Sequence, residues 1–141
     1  GVYFSPATDE IFYCQKGKGA FLNGKKIKVS NIKKLDYANI VHGSIHYMEK
    51  INKLKQLSKL SALASGKYGA SDCEGINRLL KGQVDVYISG HGYVWDYAAL
   101  AILTEEAGGK FSDLSGKFNL YGDTVIFSNK LLHNQTIEIL K

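Results

Sequence analysis

Residues 94–107 predict a helix that is apolar on almost every side, and Gly108 and Gly109 end it. Its centre is an unbroken run of Ala98, Ala99, Leu100, Ala101, Ile102 and Leu103. A helix without a polar face cannot lie on a protein surface, because part of its apolar surface would stay in water. The chain must therefore bury this helix inside a domain.

Strands and helices alternate around this segment. Helices are predicted at residues 72–81, ended by Gly82, and at 130–140. Strands are predicted at 110–112, at 124–128 and at 84–89, the last with Val84, Val86 and Ile88 on one face. This alternation is typical of an α/β fold in which helices cover the faces of a sheet.

The first half of the chain is richer in strands. Residues 2–14 predict two strands around a turn-rich connection, and residues 20–22 and 27–29 predict a hairpin around Asn23-Gly24. Residues 39–45 predict another strand. Residues 47–64 predict one amphipathic helix, but its apolar side chains are spaced three apart and drift around a 3.6-residue turn. We therefore expect one end of that helix to bend or loosen.

Size and cysteine content place limits on the class of protein. A chain of 141 residues is long enough for one domain with its own core. It contains no apolar run of the roughly 18 residues that a membrane helix needs. Two cysteines, Cys14 and Cys73, are too few for a disulfide framework, and Cys73 is predicted to be a small buried apolar residue. These features predict a reduced, cytoplasmic protein with no membrane partner.

Charge is unevenly distributed along the chain. Residues 16–67 contain twelve lysines and only two acidic residues, whereas the whole chain has a formal net charge of +5. Such a field can attract polyanions. However, Arg78 is the only arginine among the 18 basic residues, and nucleic-acid readers favour the planar guanidinium. Nucleic acid is therefore not the predicted partner.

Several common site motifs are absent or incomplete. Residues 19–26 nearly match a phosphate-binding loop, but Lys26 stands where a hydroxyl should hold Mg²⁺, and the context is a hairpin. The four histidines match no zinc spacing, and no G-x-S-x-G elbow supports a serine hydrolase.

The informative segment surrounds Asp96, at the start of the apolar helix. The simplest interpretation is a helix cap, in which the carboxylate accepts a backbone N–H. Two features favour chemistry instead. Trp95 and the alanines that follow are expected to surround the carboxylate with apolar groups, which is costly for a charge without a cation or several donors. The segment also follows a strand end and a glycine loop, where α/β domains bind ligands.

The residues of this segment resemble a known family. Trp95-Asp96-x-Ala98-Ala99, Glu106-Ala107-Gly108-Gly109 and Asp113-x-x-Gly116 resemble the C-terminal signature of the inositol monophosphatase family of Mg²⁺-dependent phosphatases. Three further blocks match in order along the chain. They are Gly17-x-Gly19-Ala20-Phe21-x-Asn23-Gly24, Gly82-x-x-Asp85 and Val125-Ile126-Phe127-Ser128-Asn129.

The resemblance implies a fold and a missing part. Residues 39–141 would be the C-terminal α/β domain, a mixed sheet flanked by helices, and residues 1–38 strands from the end of the N-terminal sheet region. Family members also have an N-terminal half with a Glu-Glu pair and a D-P-[IL]-D-G-T motif, neither of which occurs here. There these acids hold Mg²⁺ together with the aspartate that Asp96 matches. Asp96 is therefore the implied catalytic and metal-binding residue of a chain that is inactive alone.

The resemblance also suggests residues that contact a small phosphorylated substrate. They are Lys67, Ala70, Ser71, Asp72 and Ser89. Lys67 replaces the family's arginine, and Asp72-Cys73-x-Gly75 resembles the histidinol-phosphate phosphatase branch. Ser89 stands where that branch and the inositol enzymes have a glutamate. From the residues alone, Asp72 is equally a helix cap and Ser89 a strand end.

Three hypotheses remain at this point. The first is one half of a Mg²⁺-dependent phosphomonoesterase, whose partners are a sugar- or polyol-type phosphate and the N-terminal half of the same enzyme. The second is a non-catalytic module that binds polyanions through residues 16–67. The third is a self-associating module, most simply a homodimer, because the opening strands should leave unpaired edges.

Overall fold

The first four strands form an antiparallel sheet in the order β1-β2-β3-β4. A computed structural model describes residues 1–70 and 72–141 of the chain. The strands are β1 (Val2–Ser5), β2 (Glu10–Gln15), β3 (Gly19–Leu22) and β4 (Lys25–Ile27). Side chains alternate along β2, so that Phe12 and Cys14 are buried while Ile11 and Tyr13 are exposed.

The predicted hairpin and its tight turn at Asn23-Gly24 are confirmed, but its second strand is β4 (Lys25–Ile27) and not residues 27–29. Leu22 pairs with Lys25, so that Asn23 and Gly24 alone form the turn, with φ of 46° and 83°. Positive φ at both central residues is the geometry of a type I′ turn, which suits the twist of the flanking strands. The second strand ends at Ile27, and Val29 already contacts the core outside the sheet.

Five further strands form a second, mixed sheet in the order β6-β5-β7-β9-β8. They are β5 (Asn39–His42), β6 (Gly66–Gly69), β7 (Val86–Ser89), β8 (Gly109–Ser112) and β9 (Val125–Asn129). The central strand β5 runs parallel to β6 and to β7, whereas β9 runs antiparallel to β7 and to β8. The predicted sheet flanked by helices is confirmed.

Five α-helices and one short 3₁₀ turn (Leu35–Tyr37) complete the described residues. The helices are α1 (Ile45–Lys50), α2 (Leu54–Leu63), α3 (Asp72–Leu80), α4 (Val94–Glu106) and α5 (His133–Leu140). Gly82 and Gly108 follow α3 and α4 with φ of 71° and 87°, the left-handed conformation that ends helices. Both predicted helix ends are confirmed. No helix of the described residues is long and apolar enough to cross a membrane.

The single helix predicted at 47–64 is wrong, because α1 and α2 are separate. Asn52 lies between them with φ of 57°, a conformation that cannot continue a right-handed helix. Three-residue spacing does not keep all apolar side chains on one face of a straight helix. The break lets each helix orient its own apolar residues, Met48 from α1 and Leu57 and Leu60 from α2, towards one core.

Helix α4 lies between the two sheets. One core contains Leu100, Ala101 and Leu103 of α4 with residues of the first sheet (Phe12, Cys14, Ala20) and of the second (Val41, Tyr87, Phe111, Phe127). Helix α3 belongs to the same layer through Ile76, Leu79 and Leu80. Because sheets cover this helix on opposite sides, most of its surface is buried and apolar side chains are favoured around it. This explains the composition of residues 94–107.

The opposite face of the second sheet packs against α1, α2 and α5. Val86 and Ile88 of β7 lie in this outer core, but Val84 lies in the inner core with Tyr87. The prediction that Val84 shares a face with Val86 and Ile88 is therefore wrong. Regular strand begins only at Val86, after a bend at Asp85, so the alternation of faces does not extend back to Val84.

A buried histidine joins α5 to the second sheet. The Nδ1 atom of His133 lies 2.6 Å from Ser128 Oγ on β9, and its Nε2 atom lies 2.9 Å from Ser112 Oγ on β8. Its side chain is completely buried. Burial, with a smaller contribution from the positive charge of Lys110, lowers the pKa of His133 from 6.5 to about 4.

Acid should destabilise the fold through this histidine. In the unfolded chain His133 binds a proton near pH 6.5, but in the folded chain it does so only near pH 4. The free energy of unfolding is therefore highest above pH 6.5 and decreases as the pH is lowered from 6.5 to 4. We expect a loss of about 3 kcal/mol, measured as the free energy of urea unfolding against pH. The variant His133→Gln can hydrogen-bond to both serines but does not titrate, so its free energy of unfolding should not show this loss at low pH. An identical pH profile for both proteins would contradict the prediction.

Candidate functional site

A crevice is expected where β5 and β7 end side by side. The two strands are parallel neighbours, and the chain leaves β5 into α1 on the outer face but leaves β7 into α4 on the inner face. In an α/β sheet, such a divergence at the carboxyl ends of adjacent strands opens a crevice that binds ligands. The structure has a cleft of about 360 Å³ between α1 and the segment after β7. It is lined by Tyr47, Lys50, Ile51, Gly90, His91 and Asp123.

A larger cavity, about 470 Å³, lies elsewhere along α1 and α2. Its lining comes from those two helices and the connection between them, namely Glu49, Asn52, Leu54, Lys55 and Ser58. It does not lie at the end of a sheet strand and contains no residue of the segment around Asp96. We therefore place the candidate site at the smaller cleft after β7.

Asp96 lies in the first turn of α4, just beyond this cleft. Its Oδ2 atom accepts a hydrogen bond of 2.9 Å from the backbone N–H of Tyr93, the residue that precedes the helix. The predicted capping contact is therefore present. In the described part of the chain, Oδ1 has no hydrogen-bond partner. The half-buried carboxylate is held by one oxygen while the other remains able to bind a cation.

The predicted apolar surroundings of Asp96 are only partly correct. Ala98 and Ala99 are half-buried, but Trp95 is 75% exposed and points away from the core. Helical geometry explains this result, because Tyr97, Leu100 and Ala101 already occupy the buried side of α4. Solvent therefore reaches this side of the site.

Two glycines let the segment after β7 approach its neighbours closely. A Cβ atom on Gly90 would lie 3.0 Å from the backbone of Tyr47, and one on Gly92 would lie 2.1 Å from the ring of Tyr97. Between them, the backbone oxygen of His91 accepts hydrogen bonds from Ser89 Oγ at 2.8 Å and from Tyr97 Oη at 2.7 Å. These glycines serve close packing, and the segment is held firmly between β7 and α4.

Two of the predicted substrate residues, Ala70 and Ser89, lie at the carboxyl ends of β6 and β7, on either side of β5. Ser89 ends β7 and is buried, with its hydroxyl bonded to His91. Ala70 follows β6 and its N–H bonds to His42 O at the end of β5. Lys67 lies earlier in β6, and its Nζ donates to Ala64 O at 3.0 Å. Ser71 and the side chain of Asp72 lie outside the described residues.

Cys73 is exposed, so the prediction that it is a small buried residue is wrong. It lies in the first turn of α3. The residues of α3 that reach the inner core begin only with Ile76. Cys14, in contrast, is buried between the first sheet and α4.

The glycine turn after β2 binds a carboxylate of α4. Glu106 accepts hydrogen bonds of 2.8 Å from the backbone N–H groups of Gly17 and Gly19, one on each carboxylate oxygen. These bonds, first that of Gly17 and then that of Gly19, lower the pKa of Glu106 below its ordinary value. Two sequence blocks that are far apart along the chain thus join the first sheet to the end of α4.

Asp113 and Gly116 form a turn after β8. Oδ1 of Asp113 accepts hydrogen bonds from the backbone N–H groups of Ser115 and Lys117 and from Ser115 Oγ. Burial opposes ionisation of Asp113, but these hydrogen bonds outweigh burial and lower its pKa. Gly116 has a φ of 87°. This pair therefore shapes the backbone.

Sequence reasoning missed a row of aromatic rings beside the cleft. His91 stacks on Tyr47 and contacts Tyr93 edge-on, and Tyr93 stacks on Trp95. The close spacing of aromatic side chains at positions 91, 93 and 95 was a visible signal, although Trp95 already belongs to α4. Only the fold brings Tyr47 of α1 to the same row.

Within residues 1–70 and 72–141, no group of three or more His, Cys, Asp or Glu side chains is arranged to hold a metal ion. Carboxylate oxygens are the ligands that Mg²⁺ and Ca²⁺ prefer. Asp96 has the right chemistry for one ligand. The described residues alone do not supply a complete coordination sphere.

Comparison with known proteins identifies relatives along the whole chain. A sequence model of the inositol monophosphatase family matches residues 1–141. The fructose-1,6-bisphosphatase/inositol-1-monophosphatase of Thermotoga maritima is 32% identical over 149 residues, which cover 99% of this chain and 54% of that protein. The histidinol-phosphatase of Chlorobaculum parvum is 28% identical over 138 residues, which cover 97% of this chain and 53% of that protein.

A solved structure shows the same architecture. An IMPase/NADP phosphatase complexed with NADP and Ca²⁺ superposes with a TM-score of 0.85 and 26% identity. The match covers 99% of this chain and 54% of that one. The chain spans about half the length of the curated relatives it matches.

Proposed function

The chain belongs to the inositol monophosphatase family, and on that premise we propose that it is part of a Mg²⁺-dependent phosphomonoesterase. Its substrate is a small sugar- or polyol-type phosphate, similar to inositol monophosphate or histidinol phosphate. Relatives named for inositol-1-monophosphatase and for histidinol-phosphatase activity support this class. A location in the reducing cytoplasm remains a prediction from the sequence.

The placement of Asp96 carries this proposal. Its backbone lies in the first turn of a helix buried between two sheets, and its Oδ2 is held by the N–H of Tyr93. Fixing one oxygen restricts the rotation of the carboxylate and directs Oδ1 consistently. Such preorganisation is what a metal-binding side chain needs, because a loose ligand pays conformational entropy on binding.

Members of the family use divalent metal ions, and Asp96 is the described residue that fits one. A bound Mg²⁺ supplies a nucleophilic water at neutral pH and neutralises charge on the leaving oxygen. The chain itself positions the carboxylate of Asp96 and orients the substrate at the ends of β6 and β7. Helix α1 forms one side of the cleft. Lys67, Ala70, Ser71, Asp72 and Ser89 are the residues that we propose to face the substrate.

The remaining ligands come, in this proposal, from the N-terminal half of the same enzyme. The outward face of the first sheet fits a protein partner, because its cross-strand pairs Val2–Tyr13 and Phe4–Ile11 expose four large apolar side chains. Phe21 extends this face by stacking on Tyr13 at 5.4 Å. Exposed apolar patches of this kind mark interaction sites, and edge strand β1 can accept a further strand.

Phosphate release tests the function. We expect Mg²⁺-dependent hydrolysis of inositol 1-phosphate or histidinol phosphate when the chain is combined with a supplied N-terminal half, and no hydrolysis by the chain alone. Full activity of the isolated chain would refute the claim that it is incomplete. Inactivity of the combined halves on both substrates would refute the substrate class.

Self-association is the second candidate, because the same apolar face could pair two copies. Sedimentation of the chain, alone and with the N-terminal half, separates the two outcomes. A homodimer that the N-terminal half dissociates supports our proposal that this half is the physiological occupant. A strict monomer at high concentration that also fails to bind the N-terminal half would refute docking at this face.

A further inference from the structure

A third cavity lies at the other end of helix α4, between the glycine turn after β2 and strand β4. Its volume is about 430 Å³, which is comparable to that of small-molecule sites. Asp96 and Glu106 lie at opposite ends of α4, about 15 Å apart along the helix axis, so this cavity is separate from the cleft after β7. We call it the lysine cavity, because it is lined by Lys18, Lys26 and Lys28.

The strand pattern directs two of these lysines to the same side. Ile27 and Val29 pack against the inner core. Lys26 and Lys28 alternate with them along the chain and therefore point away from that core. The backbone N–H of Val29 donates to Ala107 O at 3.1 Å and fixes this segment to the end of α4.

The side chain of Lys26 is held across the glycine turn. A Cβ atom on Gly19 would lie 2.8 Å from Lys26 Cε and 3.2 Å from its Nζ, so the end of this side chain contacts the turn. Glu106 fixes the turn itself, because it accepts the backbone N–H groups of Gly17 and Gly19. A lysine that is already packed loses less side-chain entropy when its ammonium group binds a ligand.

The ammonium groups of the lysine cavity are unpaired, whereas most acceptors around them are already bonded. In the described part of the chain, the three lysine ammonium groups form no ion pair and donate no hydrogen bond. Both carboxylate oxygens of Glu106 accept backbone N–H groups. Glu105 O accepts the N–H of Gly108 at 2.9 Å, and Ala107 O is also bonded. The end of α4 therefore repels an anion less than free carbonyl groups would.

The lining favours recognition by charge. Among residues 1–70 and 72–141, Glu105 supplies the only unbonded carboxylate of the lining, so three ammonium groups face one free carboxylate. The same set of residues places no aromatic side chain in the lining, so the cavity offers no stacking surface for a nucleobase. A compact anion with several negative charges gains the most from three converging ammonium groups.

We propose that the lysine cavity binds a small anion of the polyphosphate type, whose simplest representative is inorganic pyrophosphate. This inference goes beyond the proposed function and does not depend on it, since the cavity shares no lining residue with the cleft. It also narrows the hypothesis that residues 16–67 bind polyanions. The fold brings three of the twelve lysines of that segment together, around a space that suits a small ligand.

Calorimetric titration of the 141-residue chain, without divalent metal, tests the proposal. We expect saturable binding of pyrophosphate and weaker binding of inorganic phosphate, which carries less charge. The affinity for pyrophosphate should decrease as the NaCl concentration is raised, because salt screens the ammonium groups. The absence of saturable pyrophosphate binding at low ionic strength, or equally tight binding of inorganic phosphate, would overturn the proposal.

Single lysine variants locate the anion within the chain. Lys26→Gln and Lys28→Gln each remove one ammonium group and should bind pyrophosphate about five-fold more weakly. Lys25→Gln is the matched control, because it removes the same charge from an exposed neighbour on β4 that does not line the cavity. Unchanged affinity in both cavity variants, or an equal loss in Lys25→Gln, would overturn the proposal.

A variant in the cleft separates the two sites. Lys50→Gln removes the lysine that lines the cleft after β7 and should bind pyrophosphate as tightly as the unchanged chain. If Lys50→Gln weakens binding while Lys26→Gln does not, the anion binds in the cleft and the proposal is refuted.

Discussion

Replacing Asp96 by asparagine in the complete enzyme should lower the rate of phosphate release about a thousand-fold or more. Asparagine has nearly the same shape and can still accept the N–H of Tyr93 through its amide oxygen, so the first turn of α4 should remain intact. What is lost is the negative charge that, in our proposal, holds a divalent cation. A metal-ion contribution of several kcal/mol corresponds to about three orders of magnitude in rate.

The metal dependence separates this effect from misfolding. Phosphate release should be measured against Mg²⁺ concentration, and Asp96→Asn should need far more Mg²⁺ for any residual activity. The matched control is Glu105→Gln, which neutralises an exposed carboxylate at the other end of the same helix and should keep activity and Mg²⁺ dependence. Normal activity of Asp96→Asn would remove Asp96 from the metal site.

Replacing Asp85 by alanine should destabilise the fold more than any other single carboxylate change proposed here. Asp85 is 98% buried, and its carboxylate accepts hydrogen bonds from the hydroxyl of Ser30 and, at 2.6 Å, from the backbone N–H of Asn39. Asn129 bonds the same hydroxyl at 2.7 Å. The cluster thus joins the segment after β4, the start of β5 and the end of β9.

The expected loss is about 3 kcal/mol or more in the free energy of urea unfolding, because alanine leaves several buried donors without an acceptor. Asp36→Ala, at an exposed carboxylate, is the control and should change stability by less than about 0.5 kcal/mol. Asp85→Ala combined with Asn129→Ala should lose less than the sum of the single changes, since both belong to one network. A change for Asp85→Ala as small as that for Asp36→Ala would show that the cluster does not hold these segments together.

Much of the fold follows from short stretches of sequence because the cause is local. Asn23-Gly24 specifies its turn since both residues tolerate positive φ, and Gly82 and Gly108 end their helices for the same reason. Alternation along β2 predicts which side chains face the core. The capping contact of Asp96 is equally local, because its two partners are three residues apart.

Other features depend on residues that are far apart in the chain. The exposure of Trp95 depends on which side of α4 the two sheets cover, and the exposure of Cys73 depends on where α3 enters the core. The row of aromatic rings beside the cleft includes Tyr47, which stacks on His91 although no sequence motif connects it to residues 91–95. None of these results could be read from the local pattern around the residue concerned.

By itself, the sequence determined the family, the α/β class, the buried helix at 94–107 and Asp96 as the candidate metal-binding residue. Each of these depends on residue types and spacings within one short segment, or on the order of such segments. The tertiary structure decided the break at Asn52, the hydrogen-bonded cluster around Asp85 and the row of aromatic rings beside the cleft. The physical reason is that packing between distant segments fixes which side of each element is covered, and that choice determines which groups remain available to a ligand.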